Sequence, residues 1–169
     1  KRHFERATQL GDKTQIGTAH NALGNLYQGL SQYDLALEHL TQALNFARMN
    51  QDVLSEGQRL NNLGMVYSNI GDLQKALSCF QAALAINREC GDSGQESKTL
   101  GNLGVTYHSQ GDYDQAIDCI SRAMAISKER GDRDAYCCSL SNMADIQMAK
   151  GDYDAAVEGY AKAVAIAQD

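Results

Sequence analysis

Apolar residues recur along the chain at spacings of three and four, as in Leu60, Leu63, Tyr67 and Ile70 or Ile117, Ile120 and Met124. That is the spacing of one face of an α-helix, and no segment alternates with the period of two that a half-buried strand requires. Short polar turns interrupt the helical spacing at regular intervals: Gly71-Asp72, Gly91-Asp92, Gly111-Asp112, Gly131-Asp132 and Gly151-Asp152. Glycine can take the left-handed conformation after a helix, and the following Asp can accept backbone N–H groups at the start of the next. Gly11-Asp12 is the same turn, while Ser31-Gln32 and Gln51-Asp52 stand in its place in two further positions. The pattern predicts helices over 13–29, 33–49, 53–69, 73–89, 93–109, 113–129, 133–149 and 153–168, with residues 1–10 aligning to the end of a preceding helix.

The pattern repeats with an offset of 40 residues: NALGNLY at 21–27 returns as NNLGMVY at 61–67, GNLGVTY at 101–107 and SNMADIQ at 141–147. Each repeat is a helix pair. The first helix carries Leu23-Gly24, Leu63-Gly64, Leu103-Gly104 or Met143-Ala144, and the second carries Ala36, Ala76, Ala116 or Ala156 and then Ala43, Ala83, Ala123 or Ala163. An interior glycine costs a helix about 1 kcal/mol relative to alanine, so Gly104 needs a packing reason. Close approach of the first helix to the small residues of the second supplies one, sealed by Tyr107 and Ile120.

These residues resemble the tetratricopeptide repeat (TPR) over the whole chain. Leu-Gly, a Tyr three residues on, Gly-Asp-Tyr, then Ala, a bulky apolar residue and Ala recur together, in a 40-residue form most similar to the Pins/LGN spindle-orientation and polarity scaffolds. The resemblance implies an all-α fold, a TPR superhelix (α-solenoid) of antiparallel helix pairs whose first helices line a concave groove for a peptide. It divides residues 1–169 into a single array cut from a longer chain: 1–12 the end of a preceding repeat, then repeats 13–52, 53–92, 93–132 and 133–169. Carried over position by position, the lining is Thr18, Gln58, Lys98 and Cys138; Asn21, Asn61, Gly101 and Ser141; Ala22, Asn62, Asn102 and Asn142; Asn25, Met65, Val105 and Asp145; and Gln28, Ser68, His108 and Met148. The ladder Asn62, Asn102, Asn142 matches asparagines that such grooves use against a partner's backbone, since an amide can donate and accept at once. The same ladder can instead brace the repeats internally. The Pins-like pattern expects Arg four residues before each ladder Asn, where this chain has Gln58, Lys98 and Cys138. Lys98, Asn25 and Asn62 occupy three positions of the carboxylate clamp of chaperone-binding TPRs, but the other two, basic in that clamp, are Asn21 and Asn102.

Charge and cysteine usage narrow the partners. With 15 basic against 21 acidic residues the formal charge is −6, and no dense Lys/Arg block points to nucleic acid or an anionic membrane. No apolar run approaches a membrane span, no Asn-x-Ser/Thr acceptor occurs, and five unpaired-looking cysteines suit a reducing, cytoplasmic setting. The histidines show no HxxxH spacing and no neighbouring cysteine, so no metal site is predicted, and no cofactor motif is present. There is no GxSxG elbow or P-loop, and acids such as Asp112 and Asp152 sit where helix capping accounts for them. The lining holds one permanent cation, Lys98, and one anion, Asp145. These readings predict a non-enzymatic scaffold or adaptor that binds a peptide segment of a partner in the groove. A sensing domain that passes ligand binding to an attached output domain is the alternative, and self-association through uncapped array ends is a further possibility.

Overall fold

The computed structural model describes residues 13–168, which form eight α-helices and no strand. They are α1 (Lys13–Gly29), α2 (Tyr33–Met49), α3 (Val53–Ile70), α4 (Leu73–Glu89), α5 (Ser93–Gln110), α6 (Tyr113–Arg130), α7 (Arg133–Lys150) and α8 (Tyr153–Gln168). The expected helix before residue 13 lies outside the described residues. Four helices run one residue further than the spacing predicts, to Ile70, Gln110, Arg130 and Lys150. Each ends on a glycine at positive φ, Gly71, Gly111, Gly131 or Gly151, whose N–H bonds back into the last turn and carries the helix up to the glycine. Ser31 and Gln51 adopt the same left-handed conformation at φ 57° and 54° without being glycine.

The aspartates of the turns cap the helices that follow. Asp52, Asp72, Asp92, Asp112, Asp132 and Asp152 each accept the backbone N–H three residues on, at 3.0–3.2 Å. At Asp52 the bonds from Ser55 hold the carboxyl below its usual range. Gln32, at the head of α2, makes no side-chain cap bond.

The helices pair in chain order, α1 with α2, α3 with α4, α5 with α6 and α7 with α8, and the chain divides between Cys90 and Gly91 into two compact units. In the first unit α2 also packs on α3, around a core of Ala36, Leu40, Leu44, Leu60, Leu63, Val66 and Ala83. In the second, α6 packs on α7 around Ala116, Ile120 and Ile146.

Within the first three pairs the first-helix glycine makes room for a large side chain. A Cβ built on Gly24 would lie 2.5 Å from Leu40 Cγ, on Gly64 2.6 Å from Phe80 Cε1 and on Gly104 2.5 Å from Ile120 Cδ1. The expected close approach to alanine is present as well, since the Gly104 position lies 3.3 Å from the Ala116 carbonyl oxygen, but the bulky residue is the tighter neighbour. In the fourth repeat the small residue has changed helix. Ala144 stands on α7, and Gly159 of α8 faces it, with a Cβ position 3.1 Å from Ala144 Cβ.

The α1–α2 pair holds a run of four rings. Phe46 stacks on His20, His20 meets His39 with Nδ1 atoms 2.9 Å apart, and Tyr27 stacks on His39 at 5.4 Å between centroids. The short N···N contact needs one imidazole to donate and the other to accept, so it requires at least one neutral ring. Burial and the charge of His39 push the His20 pKa below its ordinary 6.5, against an opposing pull from Glu38. The unfolded chain therefore binds a proton at His20 more readily than the folded one. The contribution is complete above pH 6.5 and is lost as pH falls through the lower folded value. Urea midpoints measured from about pH 7.5 to about pH 5.5, across the histidine range, should fall on acidification, and His20→Asn should flatten that dependence.

Candidate functional site

The predicted lining positions lie on the first helices, α1 and α3 in one unit and α5 and α7 in the other. Met65, Val105 and Met148 are exposed apolar side chains there, and Asn25 is exposed beside them in sequence register. Gln28, Gln58, Asn62, Asn102, His108, Asn142 and Asp145 are half-buried, and Lys98 is exposed. Helix periodicity accounts for this partition, because the glycine and leucine positions turn toward the paired helix and leave these residues on the opposite face.

Three of the predicted residues make contacts of their own. Asn61 is only 4% exposed and approaches Met65 Sδ at 3.8 Å, so it lies beneath the surface rather than on it. Asp145 accepts the phenolic hydrogen of Tyr160 on α8, and this bond raises the Tyr160 pKa. One oxygen of its carboxylate is thus engaged within its own helix pair. His108 packs its ring against Tyr113 at the start of α6, 5.8 Å between centroids, which turns it toward the end of the pair.

The amide ladder differs between the units. In the first, Asn62 Nδ2 donates to Asn21 Oδ1 at 2.9 Å, bracing α3 against α1 across repeats rather than within one. Gln58 accepts from Arg59 Nη1 at 3.4 Å. Arg59 is itself 9% exposed, its Nε is without a partner among the described residues, and burial lowers its pKa. The 40-residue register places it one position off the Arg that the resemblance expects, and nothing in its own spacing marks it as buried.

In the second unit a cleft of about 370 Å³ lies between α5 and α7, bounded by Lys98, Gly101, Asn102, Cys138 and Asn142. This is five of the predicted positions in one concavity. Asp132 and Asp134, at the head of α7, border it as well. Asp132 Oδ1 also accepts the Ala135 N–H at 3.1 Å. Of the adjacent cysteines, Cys138 is exposed on the cleft while the half-buried Cys137 directs its thiol to the Ala163 carbonyl, 3.6 Å away. All five cysteines are free thiols, and burial raises the Cys79 pKa, making it a poor thiolate. The described residues hold no group of three or more metal-ligating side chains, and none of their helices is long and apolar enough to cross a membrane.

Two tetratricopeptide-repeat family profiles match, one over residues 17–48 and one over 58–129, between them more than half of the chain. A profile described as anaphase-promoting complex subunit 5 matches residues 104–169. No curated protein sequence matches the chain. Solved structures share its fold. BtubC (BKLC) from P. vanneervenii is 24% identical with a TM-score of 0.82, over 93% of this chain and 65% of that one. A Rap protein complexed with competence and sporulation factor is 21% identical with a TM-score of 0.88, over 97% and 46%. Kinesin light chain TPR-like repeats from Podosopora anserina are 20% identical with a TM-score of 0.74, over 90% and 74%. The chain thus spans between under half and about three quarters of the length of these proteins. The repeat register, the glycine-to-bulky-residue seams and the profile matches agree, and the chain is a tetratricopeptide-repeat protein of the all-α, solenoid class.

Proposed function

We propose that the chain is a non-enzymatic interaction scaffold that takes a peptide segment of a partner protein on its first-helix walls. The observation that carries this reading is the exposure of Met65, Val105 and Met148 among half-buried amides. Apolar side chains left in water on a polar wall are the composition of a contact surface, where the apolar groups supply desolvation and the amides fix the peptide backbone. A role in cell polarity or spindle orientation, in the cytoplasm, is the narrower form of the proposal. The residue resemblance supports it, while Gln58, Lys98 and Cys138 at the expected arginine positions argue for a partner other than the Pins set.

A peptide-sensing regulatory domain is the second reading. It is favoured by the fold shared with the Rap protein complexed with competence and sporulation factor. Both readings place the ligand on the same walls.

The test is capture of partners from a lysate with the 169-residue chain and with Met65→Glu/Val105→Glu, both exposed positions. The variant should retain helicity and lose about tenfold or more in affinity for whatever the parent captures. Gln74→Glu, at an exposed second-helix position, should bind as the parent does. Equal capture by the parent and the wall variant would refute the assignment.

A further inference from the structure

The turn between α1 and α2 departs from the rule that the other helix pairs keep. Gly71-Asp72, Gly111-Asp112 and Gly151-Asp152 join the two helices of the later pairs, each with a glycine at positive φ and an aspartate that caps the second helix. At the same point the first pair has Ser31, at φ 57°, and Gln32, which makes no side-chain cap bond. Serine is less stable than glycine in the left-handed region, and an uncapped helix start is less stable than a capped one. The turn thus forgoes two local stabilising residues.

Apolar side chains stand in water around it: Leu30 is 58% exposed, Leu35 40% and Ile70 46%. A hollow of about 430 Å³ is lined by Ser31, Gln32, Tyr33, Asp34, Leu35 and Ile70, and none of the predicted wall positions is among them. The second unit supplies an internal comparison, because residues 80 apart are equivalent positions of the repeat. Leu30, Leu35 and Ile70 correspond there to Gln110, Gln115 and Lys150, and Asp34 corresponds to Asp114. Lys150 Nζ lies 3.8 Å from the Asp114 carboxylate. In the first unit an isoleucine stands in place of that lysine, and the exposed Asp34 makes no ion pair among the described residues.

We infer that this turn edge is a docking surface separate from the first-helix walls, for a partner segment that presents an apolar side chain next to a Lys or Arg. The apolar side chain enters the hollow against Leu35 and Ile70, and the cation pairs with Asp34. Both halves of that chemistry follow from the comparison of the units. Isoleucine in place of lysine removes the cation that serves the equivalent carboxylate and leaves an apolar contact where it stood. Desolvation of the exposed Leu and Ile side chains supplies the affinity, while an exposed ion pair at the rim mainly selects and orients the partner. The net charge of −6 favours the approach of a basic segment over an acidic one.

The experiment gives the first unit the second unit's residues. A random library of short linear peptides is panned against the 169-residue chain, with counter-selection against Leu30→Gln/Ile70→Lys. Both positions are exposed in both units, so the variant should keep its helicity. Peptides held by the parent and released by the variant should pair an apolar residue with an adjacent Lys or Arg. In titrations by fluorescence anisotropy the variant should weaken them about tenfold or more. Asp34→Asn should weaken them by about two- to fivefold, the range of an exposed ion pair, and should leave versions with the basic residue changed to alanine unaffected. In methyl NMR the same peptides should shift Leu30, Leu35 and Ile70 and spare Met65 and Val105. Met65→Glu/Val105→Glu should bind them within about threefold of the parent.

The surface is overturned if counter-selection leaves no peptide, if the surviving sequences share no basic residue, or if the methyl shifts fall on Met65 and Val105 instead. A dimer in sedimentation that Ile70→Lys dissolves would make a second copy the occupant and would overturn the assignment as well. None of these results removes the first-helix walls as a binding surface, which the capture experiment tests separately.

Discussion

Phe80→Ala should destabilise the first unit by about 3–5 kcal/mol, the range for truncating a buried aromatic. Phe80 is 1% exposed, and its ring occupies the space opened by Gly64, with Cε1, Cδ1 and Cζ 2.6, 2.7 and 2.9 Å from where a Gly64 Cβ would stand. Against the roughly 5–15 kcal/mol that holds an ordinary domain together, a loss of this size leaves little in reserve. The same geometry predicts a change of sign at its neighbour. Gly64→Ala alone forces its methyl group into the ring and should cost about 1–3 kcal/mol despite the better helix propensity of alanine. In the Phe80→Ala background the obstacle is gone, so Gly64→Ala should be neutral or stabilising. Urea denaturation of the four members of the cycle should therefore give a coupling energy above about 1 kcal/mol, and additivity would show that the two residues do not share this space.

Ala116→Leu should cost the second unit about 1–3 kcal/mol by overpacking. Ala116 is fully buried on α6 in the core with Ile120 and Ile146, and its carbonyl lies 3.3 Å from the position a Gly104 Cβ would take. A leucine there has no free volume to enter without separating α5 from α6 or driving Ile120 off its rotamer. In a repeat protein such damage is felt most by the nearest helices. Hydrogen exchange should accordingly show a larger loss of protection in α5 to α8 than in α1 to α4. An unchanged denaturation midpoint would mean that the packing register assigned to the pair is wrong.

Helix positions and turns were legible because they rest on local chemistry. The Gly-Asp turns need one residue that tolerates positive φ and one that caps, and both requirements are visible in single residues. The glycine seam was legible in part. Repetition showed that Gly104 had to face a neighbour, whereas the identity of the tightest neighbour, Ile120 rather than an alanine, depends on rotation about the helix axis. The lining was legible as a face and not as a set of free groups. Asn62 and Asp145 share the face with Asn142, but Asn21 and Tyr160 bond the first two, and those partners lie 41 and 15 residues away. The histidine pair was missed for the same reason. His20 and His39 are 19 residues apart with no ligand-like spacing, and only the antiparallel packing of α1 on α2 brings their Nδ1 atoms to 2.9 Å.

The central claim, that the first-helix walls are the binding surface, is tested most directly by site-specific photo-crosslinking. A photoreactive amino acid is placed at Val105, exposed on α5, and in a separate protein at Gln115, exposed on the second helix α6. Each protein is irradiated with the partner that the parent captures, and the adducts are mapped by mass spectrometry. The account predicts an adduct from position 105 to one contiguous stretch of the partner, suppressed by competing unlabelled partner peptide, and little from position 115. Efficient, competable cross-linking from position 115 with none from position 105 would contradict it.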